Sequence, residues 1–578
     1  MKKYLLTKVF FTIMTVFYGV CLYASMESCD FSDPRDGDID GRDISWFVDY
    51  YVAGNLLADV DETGTVDSID VAHFTGYYGL TYPVVPARPN ILLIIADDVG
   101  LDLTTSLYPN LITGLTNLYG PSGWNHPAAG DIDGTPASTP VLDQFARQAM
   151  VFSNAWAQPF CSPTRAAVIT GLYAKKTNVT APGNPMSVNH TTFVQLLKNN
   201  DYNTALFGKW HLGAGGTTGV LPKQVGFDIF KGHTGGDLWR WSFWNYSYHV
   251  QDEATADPTT VRTESAPTRS LEGVAATTFA PVVRAADTIA WITAQEAQNP
   301  DKPWFVWLAF NEVHTPMHVP NVDTIDPASY AEVTGCGGVP GTTDRGSCSD
   351  KVIIRAMTNA IDTVIGKVLD AIKDPNTYII FVGDNGTDNA VGPTRSLGID
   401  NMYLNRTAEV RGKGTAHESG ARVPMAIRGP GITAGGASSE FVHAADLFAT
   451  CLELAGITPP TTNKNYTTPP VDVASDSVSL APILFGEQPT VRDPNEGYIL
   501  TETDWVGSKK VGARNATYKV LCTDNADNCL FFNLSTDPLE EYELAKPNCV
   551  SPDPNWTTDD AEWHYCRLIE VVNTYSIF

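Results

Sequence analysis

Basic residues are scarce: 38 Lys and Arg stand against 65 Asp and Glu in a 578-residue chain, a net charge of -27. That deficit argues against general nucleic-acid binding and against docking on an anionic membrane, since both need a cationic face. No C-x-x-C pair occurs, which argues against a zinc ribbon. Beyond the first two dozen residues, no apolar run is long enough to span a bilayer. An anionic ligand would therefore need a local cluster of positive charge inside an acidic molecule.

What is present begins with length, enough for two or three domains and a large core. Residues 1–24 read as a secretory signal: Lys2, Lys3 and Lys8 precede the apolar run 9–17, and Ala24 suits cleavage. An uncleaved anchor is the rival reading. Cys21 makes a poor lipoprotein box because Val20 replaces the small residue expected before it. Of the ten cysteines, Cys21 leaves with the signal and Cys161 is set aside for chemistry. In an oxidising compartment Cys336 with Cys348, Cys522 with Cys529 and Cys549 with Cys566 are plausible local pairs, although spacing does not fix connectivity. Cys451, inside the apolar helical stretch 447–454, is expected as a buried free thiol.

Residues 26–80 carry an Asp-rich repeat. Asp59, Asp61, Thr63, Asp67 and Asp70 stand at loop positions 1, 3, 5, 9 and 12, with Gly64 at position 6. Hard oxygens around a glycine turn are what an EF-hand calcium loop requires. A degraded earlier copy lies around Asp36, Asp38 and Asp40, and each copy leads into a helical stretch. The paired loop-helix repeat resembles a dockerin; the alternative is an acidic linker. A proline-spaced linker, 81–89, follows.

From Asn90 the pattern is α/β. The runs 91–96, 304–310 and 378–383 are continuously apolar, as strands buried on both faces of a sheet should be, and helical patterns alternate with them. Residues 90–488 are assigned to this main domain, with a Thr/Ser/Pro-rich irregular insertion at 254–272. From about Pro489 short strands and clustered cysteines suggest a smaller α+β subdomain, 489–578.

Chemistry concentrates at strand ends. The first strand runs into Asp97-Asp98 and the third into Asp384-Asn385, and ligands gather at the carboxyl ends of strands in open α/β sheets. Three carboxylates and an amide oxygen suit a hard divalent cation, most naturally Ca²⁺. One Asp after a strand is usually only a turn or cap; two such pairs are less easily dismissed. Lys209 and His211 follow another short strand, His314 follows the strand at 304–310, and Lys413 and His417 sit in a glycine-flanked loop. In Cys161-Ser162-Pro163-Thr164-Arg165, Ser162 can cap a helix that Pro163 opens and Gly171 ends. Cys161 then lies at the positive end of that helix with Arg165 one turn on.

Taken together, residues 88–460 resemble the formylglycine-dependent sulfatases, in the family's motif order. The resemblance implies an alkaline-phosphatase-like sandwich with a large, mostly parallel central sheet, and hydrolysis of sulfate esters. It implies that Asp97, Asp98, Asp384 and Asn385 bind calcium together with Cys161, once a formylglycine-generating enzyme has oxidised that cysteine to an aldehyde. Arg165 would hold the aldehyde hydrate, Lys209 and Lys413 the sulfate oxygens, and His211 and His314 would move protons. Thr164 stands where the family usually has Ser, and His417 where it often has Tyr.

The expected protein is an exported sulfatase, periplasmic or extracellular, with no membrane attachment after signal cleavage. A dockerin-like module adds one or two further calcium ions and a possible protein partner. Export and that module favour a sulfated polysaccharide or oligosaccharide over small aryl sulfates, with Trp239, Arg240 and His417 as candidate contacts. A phosphomonoester or phosphonate hydrolase of the same fold, and an inactive calcium-dependent binding protein, are the competing readings.

Overall fold

The computed structural model describes residues 88–119, 136–213, 219–236, 243–388, 412–505, 507–549 and 556–578. The signal, the calcium-loop module with Asp59, Asp61, Thr63, Asp67 and Asp70, and most of the linker lie outside these residues, as do Trp239 and Arg240. Arg88–Phe578 form one compact unit, so the C-terminal subdomain belongs to the same body as the main domain.

Ten strands make the central sheet: β1 (Asn90–Ala96), β2 (Met150–Trp156), β3 (Asn203–Lys209), β4 (Ile229–His233), β5 (Ser247–Gln251), β6 (Arg262–Ser265), β7 (Trp304–Ala309), β8 (Thr377–Gly383), β9 (Met425–Arg428) and β10 (Gly436–His443). Their order is β10-β2-β9-β8-β1-β7-β3-β4-β5-β6. The middle, β8-β1-β7-β3-β4, is parallel throughout, while β9, β5 and β6 run antiparallel to their neighbours. The edge strand β10 also runs parallel to β2, so the sheet is mixed but mostly parallel, as expected. The antiparallel pairings are those of β9, β5 and β6, strands that lie outside the apolar centre. Part of the stretch expected to be irregular, 254–272, supplies one of them, the exposed edge strand β6.

The apolar runs are buried on both faces. Along β1, Leu92, Ile94 and Ala96 join one core while Ile91, Leu93 and Ile95 join the other, the period-2 alternation of a strand. The helices Ala280–Gln298 and Asp350–Ala371 cover the first face. Cys161–Thr170, Phe193–Asn199 and Leu447–Leu454 cover the second.

The C-terminal subdomain is a four-stranded antiparallel sheet, β11 (Ile499–Trp505), β12 (Ser508–Arg514), β13 (Tyr518–Thr523) and β14 (Cys529–Asn533), backed by the helix Ala561–Tyr575. Ala167 of the helix Cys161–Thr170 packs into this second core, whereas Ala166, Val168 and Ile169 pack into the main one. All ten residues of that helix are buried. At about 1.5–3 kcal/mol for a fully buried aliphatic side chain, Val168 and Ile169 alone anchor it firmly. The disulfides Cys336–Cys348, Cys522–Cys529 and Cys549–Cys566 form as expected, and Cys451 is a buried free thiol.

Candidate active site

Register brings the site together. Ala96 of β1 pairs with Gly383 of β8, so the next residues of both strands, Asp97-Asp98 and Asp384-Asn385, emerge side by side. On the other side of β1, Ile95 pairs with Ala309, and Ala309 with Gly208. Lys209 therefore ends β3 one strand beyond β7 and reaches back to donate to Asp97. The 3.1 Å bond from the Asp384 amide to the Ala96 carbonyl and the 3.2 Å bond from the Asp98 amide to Asp384 Oδ1 lock the two strand ends.

Three buried carboxylates meet three buried cations. Arg165 donates to Asp384 Oδ2 through Nη2 at 2.8 Å and Nε at 3.2 Å, and through Nη1 to the Lys209 carbonyl at 2.9 Å. Lys413 Nζ lies 2.5 Å from Asp98 Oδ1. Breaking such a pair by removing one partner costs roughly 3–5 kcal/mol, because a buried charge is left alone. Arg165 thus orients Asp384, in addition to lying one turn from Cys161.

The carboxylates differ in their proton affinity. Burial and the neighbouring Asp384 push Asp97 well above the usual carboxylate range. Burial also opposes ionisation of Asp98, but Lys413, His314 and Lys209 hold it down at about 2. Asn385 spends its Nδ2 on Asp98 Oδ1 and the Gly386 carbonyl, both at 2.8 Å, which turns Oδ1 the other way. That Oδ1, Asp97 Oδ1 and Asp98 Oδ2 are buried without a hydrogen-bond partner. Buried oxygens are normally satisfied, so three such atoms in one place fit a hard cation. A ligand atom each from Asp97, Cys161 and Asp384 lie within 4.8 Å of one another, which brings the cysteine to the same spot.

Cys161 opens its helix, with Phe160 as the N-cap residue and Gly171 in the left-handed conformation at the C-terminus. Ser162 does not cap it; the helix starts two residues earlier than Ser162 would require, and the Ser162 Oγ accepts from the Gly183 amide at 2.9 Å. Burial pushes the Cys161 thiol up to about 11 despite Lys209 nearby, so it is no thiolate at neutral pH. His211 Nδ1 stands 3.1 Å from Sγ. Burial and then Lys209 hold this imidazole well below its usual pKa, leaving it neutral and able to accept a proton. Both His211 and Asp98 have positive φ, 58° and 59°, a strained backbone seen chiefly where function demands it.

His314 follows β7, with Nδ1 2.9 Å from the Thr315 carbonyl, and burial with Lys413 lowers its pKa to about 3. With its Nδ1 proton given to that carbonyl, Nε2 is the atom open to proton exchange. His417 Nδ1 stands 3.0 Å from Glu540 Oε2, so this side chain joins the loop of Lys413 to the C-terminal subdomain. Glu418, Lys519 and Glu540, which surround it, were not singled out from sequence. No local motif marks them, since their partners lie about a hundred residues away.

The fold is the alkaline-phosphatase-like α/β type. Residues 89–457 match the Sulfatase family model, and the chain belongs to the sulfatase family. It is a sulfuric ester hydrolase. N-acetylgalactosamine-6-sulfatase of Canis lupus familiaris is 27% identical over 443 residues, covering 72% of this chain and 69% of that protein. Arylsulfatase A of Homo sapiens is 26% identical over 508 residues, covering 80% of this chain and 84% of that one. Among solved structures, Ps i-CgsB in complex with k-i-k-neocarrahexaose aligns over 79% of this chain and 88% of its own, with 22% identity and a TM-score of 0.53, a likeness of fold.

Proposed function

We propose that the protein is an exported, calcium-dependent sulfatase that cleaves sulfate esters of a polysaccharide or oligosaccharide through a formylglycine derived from Cys161. One observation carries this reading: oxygens of Asp97, Asp98 and Asn385 are buried without a hydrogen-bond partner where Arg165, Lys209 and Lys413 pair with the carboxylates, and Asp97 and Asp384 bring ligand atoms within 4.8 Å of Cys161. Asp97, Asp98, Asp384 and Asn385 would hold Ca²⁺, which when bound acidifies a hydroxyl and draws charge from sulfate oxygens. Formylglycine supplies, as its hydrate, a hydroxyl nucleophile that a thiol held at a pKa of about 11 does not.

The chain's own groups do the rest. Lys209 and Lys413 orient the sulfate and neutralise its oxygens as charge develops. Their cationic form is secure: burial opposes it, but Asp97 beside Lys209 and Asp98 beside Lys413 raise both pKa values. His314, protonated at Nε2 once substrate is bound, gives that proton to the departing alkoxide, and neutral His211 accepts the proton released at residue 161. The bound anionic ester offsets the lysines that depress His314, which makes that nitrogen a better base once substrate is in place.

Support for a saccharide comes from the names of the similar proteins, one a sulfated-sugar hydrolase and one bound to an oligosaccharide. Export is supported by the N-terminal charge and apolar pattern and by three disulfides, which persist in oxidising compartments. Among the described residues no helix is long and apolar enough to cross a membrane. The deciding experiment screens the matured enzyme for sulfate release from defined sulfated glycans, with 4-nitrophenyl sulfate alongside. Turnover of the aryl ester alone would overturn the saccharide assignment.

A further inference from the structure

We infer that Glu540 and Lys519 of the C-terminal subdomain are positioning residues that set where Lys413 stands. The inference rests on the reading of Lys413 as a sulfate-binding group. Lys413 lies in a loop fastened on the main-domain side by its amide to the Thr387 carbonyl, 2.9 Å, and by the Gly414 amide to the Pro159 carbonyl, 2.8 Å. The other end of the loop is held by the C-terminal subdomain. Glu540 Oε2 accepts from the Glu418 amide at 2.8 Å and lies 3.0 Å from His417 Nδ1. Lys519 Nζ bridges Glu418 Oε1 at 3.1 Å and Glu540 Oε1 at 2.6 Å. Trp156 adds its indole N–H to Glu418 Oε1 at 3.1 Å, and its ring lies 4.6 Å from the Lys519 ammonium.

The loop passes a displacement at one end to the other because it is closed on itself. A Cβ at Gly420 would lie 2.3 Å from the Thr415 carbonyl oxygen and 2.5 Å from that of Gly412. The Thr415 hydroxyl and amide also bond to the Gly412 carbonyl, at 2.8 Å and 3.2 Å. Moving residues 417–420 therefore moves 412–415, and Lys413 with them. Gly420 in turn accepts from the Gly386 amide at 2.9 Å, next to Asn385, so the knot is referenced to the candidate metal ligands.

The clamp is costly to build, which argues against mere filling of space. Lys519 is fully buried, Glu418 and Glu540 nearly so, and ion pairs at such depth contribute little net stability against apolar packing of the same shape. Glu540 also takes a positive φ of 59°, a strained conformation for a side chain of its length. Burial alone would push its carboxyl up, yet Lys519 and His417 hold it well below the usual range, so the clamp stays charged.

A double-mutant cycle in the full, matured enzyme tests this. The variants are Glu540→Gln, Lys413→Ala and their combination. The readouts are inhibition by inorganic sulfate and kcat/KM for 4-nitrophenyl sulfate, taken well below each variant's Tm. We expect Glu540→Gln to weaken sulfate inhibition and lower kcat/KM on the order of tenfold in the native background, and to do almost nothing once Lys413 is alanine, as coupled residues behave. Equal losses in both backgrounds, or unchanged sulfate inhibition in folded Glu540→Gln, overturn the positioning role while leaving Lys413 as a sulfate ligand. If Lys413→Ala alone leaves both readouts unchanged, its sulfate-binding role fails and the inference fails with it. Lys519→Arg, which keeps the charge but shifts the donors, runs through the same cycle should Glu540→Gln not fold.

Discussion

Cys161 Sγ and His211 Nδ1 stand 3.1 Å apart, although fifty residues separate them in the chain. The sulfur is a protonated thiol and the imidazole is neutral. That pair cannot act as the thiolate–imidazolium couple of a cysteine hydrolase, which needs a depressed thiol pKa. It does suit an oxygen nucleophile at residue 161 whose proton passes to His211.

Cys161 should accordingly be found oxidised to formylglycine. Peptide mass spectrometry of active enzyme from a host able to install it should reveal the thiol-to-aldehyde mass loss at that residue. Active enzyme carrying only intact thiol would sink the mechanism. Cys161→Ala should fold normally and turn nothing over.

Lys209 and Lys413 each face a carboxylate at the site, and neutralising either should remove about 2 to 4 kcal/mol of transition-state stabilisation, as loss of one oxyanion donor does. The loss should appear in kcat/KM for every sulfate ester, whatever its leaving group. Changes at Trp239 or Arg240 should instead reorder the preferred substrates. A Lys413→Ala enzyme with altered preference but full turnover of its best substrate would move Lys413 into the specificity pocket.

Calcium should raise the Tm of a chain starting at Arg88, since a ligand bound only by the folded state stabilises it by about 2.7 kcal/mol at a hundred times its Kd. Asp98→Asn should abolish most of that increment, measured by calorimetry without reference to activity. The shortened chain should also retain hydrolysis of 4-nitrophenyl sulfate; loss of it would tie residues 26–80 to the catalytic unit.

Glu502 provides a pH test away from the metal ligands. It is buried on β11, accepting from the amides of Lys175 at 3.3 Å and Ile577 at 2.8 Å, and burial raises its pKa from 4.5 to about 7. A raised folded-state pKa means that stability is full below about pH 4.5 and is lost as pH climbs through about 7. The loss by pH 8 is roughly 3 kcal/mol. Glu502→Gln should flatten that fall in urea midpoints between pH 5 and 8. An unchanged slope would assign the pH dependence to other groups.

The strands at 90–96, 304–309 and 377–383 were legible because burial on both faces demands unbroken apolar runs, and the carboxylates beyond them because polar residues cannot continue such runs. The helix after Cys161 was legible from Pro163 and Gly171, but it starts two residues earlier than a Ser162 cap would set, and Ser162 accepts from the Gly183 amide instead. The antiparallel pairings of β9, β5 and β6 were not legible, since local sequence does not encode which neighbour a strand meets. Arg165 makes the same point at the site: its place one turn from Cys161 follows from the 3.6-residue period, but its grip on Asp384 required a strand more than two hundred residues away.

Sequence by itself therefore determined the chemistry available: which carboxylates, lysines, histidines and cysteine stand at element ends, because those choices are local. Tertiary structure decided how they are joined. The register of Ala96 against Gly383 put two distant strand ends in contact, and the fold of the C-terminal subdomain carried Lys519 and Glu540 onto the loop of Lys413. Such pairings depend on long-range packing, where the free energy of burying whole faces outweighs any preference that a short segment expresses alone.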